Sequence, residues 1–157
     1  MKNKLQAGFL VMVLAAGPAA LAQTSQTPTR PSVWDGVYTQ AQAQRGRGQY
    51  VQHCAMCHGA YLEGNGEAPP LTGEFIPDWA GMTLADLDDK IAATMPLNAP
   101  GTLQPQAAAD ILAYILERNN FPAGTNELPI DADSLKAVSF DAFKPKPAPT
   151  PMPKKKR

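Results

Sequence analysis

Residues 54–58 read Cys54-Ala55-Met56-Cys57-His58, and this pentapeptide is the most informative motif of the sequence. Its two cysteines are the only ones among the 157 residues, and His58 is one of two histidines. A disulfide between these cysteines would close a very short loop, and a disulfide stabilises a protein less when its loop is short. The spacing therefore favours a site that uses both thiols together with the neighbouring imidazole.

Cys-x-x-Cys-His is the attachment signature of c-type haem. In that chemistry the sulfur atoms of Cys54 and Cys57 form thioethers with the two vinyl groups of the haem, and His58 is the proximal ligand of the iron. Three other interpretations stay open, namely a thioredoxin-like redox pair, a zinc site and a plain disulfide. The first lacks its βαβ pattern and the second lacks further cysteines, so the sequence favours one covalently bound haem c.

Three segments have the apolar spacing of amphipathic helices. They run from Thr39 to Cys54, from Leu84 to Ala93 or Thr94, and from Pro105 to the pair Asn119-Asn120. The second is preceded by Thr83, whose hydroxyl and the carboxylate of Asp86 match a capping box. No segment shows the strict alternation of a strand, so we expect an all-α fold.

The second ligand of the iron decides what a haem protein does. An open position allows oxygen or peroxide to bind, whereas two strong protein ligands favour electron transfer. The second histidine, His53, adjoins the motif, which leaves methionine as the expected partner. We predict Met95, because it lies in an irregular strap where the second helix has ended and Pro96 stiffens that strap. Met82, at a helix start, is the alternative.

Residues 34 to about 128 resemble class I cytochromes c. The resemblance is to the small monohaem cytochromes and cytochrome domains that accompany pyrroloquinoline-quinone-dependent (quinoprotein) alcohol dehydrogenases. It lies in residues 32–39, 48–59, 94–101 and 110–116. It implies the class I cytochrome c fold, with about three main helices around one covalently bound haem.

The resemblance also implies a function. The protein would be an electron carrier and not an enzyme, transferring single electrons from a dehydrogenase to a downstream acceptor such as a terminal oxidase. A haem enzyme or gas sensor with an open sixth position is the alternative.

Further roles follow from the same resemblance. Tyr50 would contact the last helix where the first helix crosses it. The carbonyl of Pro69 would accept a hydrogen bond from the ring of His58, and Leu71 would line the haem pocket. Trp79 would donate to a haem propionate, or would fill the pocket as an aromatic side chain.

The N-terminus has the pattern of an export signal. Two lysines precede an apolar stretch from Leu5 to Ala16, and small residues end at Ala22. We therefore expect a signal peptide over residues 1–22, cleavage after Ala22 and a periplasmic protein. A retained anchor is the alternative, although a bilayer span takes about 20 apolar residues.

The remaining composition divides the chain. We expect a flexible leader over residues 23–33, the cytochrome c domain over 34–128, a C-terminal extension over 129–143 and a disordered Pro/Lys-rich tail over 144–157. Six prolines crowd the last thirty residues, so we expect this end not to pack.

Charge separates the tail from the body. The tail holds six of the 14 basic residues and the predicted signal two, so residues 23–143 keep six against all 14 acidic ones. The tail would contact an acidic partner or an anionic membrane surface, or would simply be solvated. Nothing in the sequence indicates nucleic acid as a partner.

Overall fold

The computed structural model describes residues 30–66 and 68–144, and these residues form a helical protein. The helices are α1 (Gln40–His53), α2 (Ala55–His58), α3 (Phe75–Trp79), α4 (Leu84–Thr94), α5 (Pro105–Arg118) and α6 (Ala132–Lys136), preceded by a 3₁₀ turn over Val33–Asp35. Extended backbone in these two ranges forms isolated bridges and no strand, which confirms the predicted all-α fold class. The predicted signal peptide, the leader up to residue 29 and the tail beyond Lys144 lie outside the described residues. Among the helices just named, none is long and apolar enough to cross a membrane.

The three long helices begin where their capping residues indicate. The hydroxyl of Thr39 accepts from the N–H of Gln42 at the start of α1, and Thr83 and Asp86 form a complete capping box at the start of α4. Helix α5 begins with Pro105. The N–H of the first helical residue makes no hydrogen bond within the helix, so proline loses nothing by lacking it there. The short helices α2, α3 and α6 span four or five residues, too few to show a period in the sequence.

Helices α1 and α5 cross at Gly46 more closely than a residue with a side chain would allow. A Cβ atom on Gly46 would lie 1.7 Å from the carbonyl oxygen of Asp110 and 3.0 Å from the Cβ of Tyr114. One turn further along α1, the ring centroids of Tyr50 and Tyr114 lie 5.4 Å apart, so Tyr50 makes the helix contact that the resemblance implied. Arg45 adds two hydrogen bonds of 3.0 Å to the buried carboxylate of Asp110. The crossing therefore joins the helix before Cys54 to the last long helix.

We expect Gly46→Ala to lower the free energy of unfolding by about 3 kcal/mol, because the new methyl group meets backbone atoms that cannot move aside. Gly48→Ala is the matched control in the same helix. Nothing lies within 4 Å of a Cβ at Gly48, so this variant should gain about 0.8 kcal/mol from helix propensity alone. Denaturant unfolding of the haem-containing protein measures both, and equal effects would contradict the close crossing.

Residues 128–143 pack against the helices, so the expectation that the C-terminal end does not pack is wrong for this segment. The N–H of Gly81 donates to the carbonyl of Phe140, and the N–H of Phe140 donates to the carbonyl of Met82. The side chains of Leu135 and Phe140 are fully buried. The reason is the position of the prolines: only Pro129 falls in this segment and the others follow residue 144, so the backbone donors here remain available.

The chain just before Trp34 is packed as well. The N–H of Ser139 donates to the carbonyl of Pro31, and the N–H of Val33 donates to the carbonyl of Ser139. The side chain of Val33 is fully buried. Residues 31–33 therefore belong to the packed structure and not to the flexible leader that was expected over residues 23–33.

Phe140→Ala should lower the free energy of unfolding by about 3 to 5 kcal/mol, because it empties a fully buried site between other aromatic rings. Phe143→Ala, three residues later in the same segment, should change it by less than about 0.5 kcal/mol, since the ring of Phe143 is exposed. Thermal unfolding followed by circular dichroism compares the two. A Phe140 variant as stable as the Phe143 variant would mean that the segment does not hold the fold together.

Candidate haem site

The motif lies at a sharp change of direction between α1 and α2. Helix α1 ends at His53, Cys54 follows, and the N–H of His58 donates to the carbonyl of Cys54 at 2.9 Å. Both thiols are partly exposed and form no disulfide. Burial, and secondly the neighbouring Cys57, raises the pKa of Cys54 to about 11. A thiol with this pKa is a poor nucleophile at neutral pH, which disfavours the thioredoxin-like interpretation.

The ring of His58 is held in one orientation. It is only 7% exposed, and its Nδ1 lies 2.8 Å from the carbonyl oxygen of Pro69. A carbonyl only accepts, so Nδ1 must carry the proton, and in the neutral ring Nε2 then keeps a free lone pair. This is the hydrogen bond that the resemblance implied, and it prepares Nε2 to bind a metal ion.

Tyr50 ties the end of α1 to the residue that follows the motif. Its side chain is fully buried, and its hydroxyl donates to the carbonyl of Gly59 at 2.7 Å. Burial raises the pKa of Tyr50, so the hydroxyl remains a donor at every physiological pH. Position 59 follows His58 directly, and Tyr50 thereby restrains the backbone of the ligand-bearing turn.

The loop from α2 to α3, which carries Pro69, is itself held by hydrogen bonds. The N–H of Leu71 donates to the carbonyl of Leu62, and the amide of Asn119 donates to the carbonyl of Leu71 at 2.8 Å. The sequence indicated Asn119 only as the end of a helix, and no local signal points to this distant contact. Hydrogen bonds thus join the loop of Pro69 and Leu71 to His58 on one side and to Asn119, at the end of α5, on the other.

Trp79 stands at the end of α3 with its ring partly covered. It packs against the core and lies 6.0 Å from Phe75 between ring centroids. In the part of the chain that the structure describes, its indole N–H donates to no protein acceptor. This donor is therefore free for a ligand, as the implied bond to a haem propionate requires.

Met95 lies where the sequence analysis placed it, directly after α4. Its N–H donates to the carbonyl of Ile91 at 2.9 Å and closes the helix, while its side chain is partly buried against the core. Met82 has 43% of its surface exposed, and its carbonyl is engaged by Phe140. Of the two candidates, Met95 is the better covered thioether.

The residues present fit a covalently bound haem. Two unbridged thiols and an imidazole with a free Nε2 lie within five residues. Partly covered apolar side chains pack against the core and could contact a haem; they include Leu71, Ile76, Trp79, Met95 and Leu103. Within the described residues, no three side chains of His, Cys, Asp or Glu converge on a point where a metal ion would be held without haem.

Comparison with known proteins gives the class. Residues 41–115 match the family model described as cytochrome c oxidase, cbb3-type, subunit III. No curated protein matches the chain. A solved structure, the sulfane dehydrogenase SoxCD from Paracoccus pantotrophus, is similar at 20% identity with a TM-score of 0.46, over 86% of this chain and 73% of that one.

The matched segment runs from the start of α1 to the last turns of α5 and contains the whole motif. The segment is similar to the cytochrome c domain that this family model describes. Its cofactor is therefore haem c, bound covalently, and domains of this family transfer electrons.

Tyr50→Phe should lower the free energy of unfolding by about 1 to 3 kcal/mol, because the carbonyl of Gly59 loses the hydroxyl donor that it has inside the protein. Tyr61→Phe is the matched control, since the side chain of Tyr61 is 71% exposed. Urea unfolding of both variants, with haem bound, tests the difference. If neither variant has a lower free energy of unfolding than the wild type, Tyr50 does not restrain the ligand-bearing turn.

Proposed function

We propose that this protein is an exported monohaem cytochrome c that carries single electrons between two redox proteins. Cys54 and Cys57 would hold the haem through thioethers, and His58 and Met95 would bind its iron. Bound haem supplies the iron that changes its charge by one unit. The residues of this chain attach it, orient its ligands and exclude water from it.

The observation that carries this proposal is the ring of His58. An imidazole directly after two free thiols is buried, and its Nδ1–H is already committed to the carbonyl of Pro69. Such a bond keeps the ring from rotating and increases the basicity of the opposite nitrogen. An imidazole held in this way could bind the iron of a haem attached to the adjacent cysteines without having to reorient.

Whether Met95 binds the iron distinguishes an electron carrier from a haem enzyme or gas sensor. A thioether in the sixth position blocks the access of small ligands, and a Met/His pair raises the reduction potential. The partly buried side chain at the end of α4 supports this role. Trp79, with its free indole N–H, is the donor that we assign to a haem propionate.

The partners of an electron carrier are other proteins. Met56 lies between the two cysteines and has 79% of its surface exposed, so a partner can approach the attachment site closely. We assign the donor to a dehydrogenase, a pyrroloquinoline-quinone-dependent alcohol dehydrogenase by the resemblance, and the acceptor to a respiratory protein such as a terminal oxidase. Export by residues 1–22 would place this protein in the periplasm.

Met95→Ala tests the sixth ligand. We expect the reduced wild-type protein not to bind carbon monoxide at neutral pH, whereas the reduced variant binds it and has a lower reduction potential, because the thioether no longer closes the iron. Absorption spectra with and without carbon monoxide, and a redox titration, measure both effects.

Met82→Ala is the matched control, being a second methionine of the same region with a more exposed side chain. It should behave as the wild type in both measurements. Carbon monoxide binding by the reduced wild type, together with an unchanged potential in Met95→Ala, would instead favour the haem enzyme or gas sensor with an open position.

A further inference from the structure

Asp88 has a buried oxygen without a partner. Its Oδ1 is the one buried side-chain N or O atom of the described residues that makes no hydrogen bond. A buried acceptor left unpaired costs about 1 to 3 kcal/mol, and more when it is charged. A buried polar group without a hydrogen-bond partner needs an explanation, and a functional role near a ligand is one possible explanation.

Helical geometry places Asp88 on the covered side of α4. Leu84, four residues earlier, and Ile91, three residues later, are both buried. Met95 follows Asp88 by seven residues, which is two turns, and packs against the core. Asp88 therefore lies on the side of α4 that carries the proposed iron ligand, about 10 Å from it along the helix axis. Its neighbour Asp89 is exposed.

The surroundings of Asp88 favour its protonated form. Burial raises the pKa of its carboxyl above the ordinary value of 3.8, and repulsion from Asp89 raises it further. No cation of the described residues opposes these two effects. The result is a carboxyl that gains from a proton unless a positive charge comes near it.

The elements packed against α4 do not supply that charge. They are α5 and α6, together with the segment around Val138. Lys136 of α6 acts on the exposed Asp86 instead, and Asp110 of α5 is held by Arg45. The other titratable groups of these elements, none of which shifts the pKa of Asp88, are Tyr114, Glu117, Arg118, Asp131, Asp133 and Asp141.

We propose that Asp88 is a redox-linked proton site of the haem pocket. It holds a proton while the protein is reduced, and it releases that proton to water when the protein passes one electron to its acceptor protein. On reduction by the donor protein it takes a proton back from water. The proposal rests on the proposed function, because it needs a haem whose iron is bound beside α4 by Met95.

The reason is electrostatic. Loss of one electron adds one positive charge to the pocket, and a positive charge stabilises a carboxylate relative to the neutral acid. The interaction is strong where water is excluded, as it is at Oδ1. A carboxylate stabilises the oxidised state in return, so the reduction potential must fall as the pH rises through the range in which Asp88 titrates.

Redox titrations of the haem-containing protein from about pH 4 to about pH 9, the range that buried carboxyl groups reach, test this. The wild-type potential should fall over one pH interval. At its steepest, the equilibrium between the reduced and oxidised forms should change by about fourfold per pH unit, below the tenfold limit for one proton per electron. In Asp88→Asn, which keeps the shape and removes the titration, the potential should stay constant at the value that the wild type has at low pH.

Asp89→Asn is the matched control, the adjacent residue with an exposed carboxyl. It should keep the fall and move it to lower pH, because Asp89 raises the pKa of Asp88. Infrared difference spectra give a second readout, and its first part uses the wild type alone. A carbonyl band of a protonated carboxyl should appear on reduction of the wild type, and it should be absent from Asp88→Asn.

Two outcomes overturn the inference, and they differ from a failure of the proposed function. A reversible one-electron couple with a potential independent of pH, or with the same dependence in Asp88→Asn, would remove Asp88 from the process and leave the carrier intact. Absence of a reversible couple, or carbon monoxide binding by the reduced wild type, would remove the carrier and the inference with it.

Discussion

The close approach of α1 and α5 at Gly46 is the constraint on which the rest of the molecule depends. With no side chain between them, the backbone of α1 rests directly on the carbonyl of Asp110, and neither helix can slide without a clash. Helix α1 ends one residue before Cys54, and α5 ends beside Asn119, which holds the loop of Leu71. The turn that carries His58 and the loop that carries Pro69 and Leu71 are therefore attached to two helices that meet at this crossing.

A second set of contacts, made by the C-terminal segment, supports the helices from outside. Phe140 packs edge-on against Phe75 and Phe121, with ring centroids 6.3 Å and 5.5 Å away, and Phe75 in turn contacts Trp79. A domain of about ninety residues buries a limited core of its own. The C-terminal segment adds buried side chains to that core, and it supports the helix that carries Trp79. The extension is thus a part of the packed domain that contains the motif.

The features that the sequence predicted are local ones. The long helices were predicted with their ends, because capping residues such as Thr83 and Pro105 act within one turn. The packing of residues 128–143 was missed, since it depends on hydrogen bonds between residues more than fifty positions apart, as in the pairing of Phe140 with Met82. The hydrogen bond from Asn119 to Leu71 was missed as well, since it joins residues 48 positions apart. The hydrogen bond from His58 to Pro69 was available only through the family resemblance.

Asp88 shows a different limit of sequence reasoning. It stands in an acidic run ahead of Lys90, a pattern that is typical of a solvated helix face, yet its Oδ1 is buried. A buried carboxyl that is protonated more easily in the folded protein than in the unfolded chain destabilises the fold at neutral pH. Local violations of this kind concentrate at functional sites, where stability is traded for a property that an apolar residue lacks. An apolar side chain at position 88 would pack better, but it would respond to no change of charge, and a change of charge is the event that an electron carrier undergoes in every cycle.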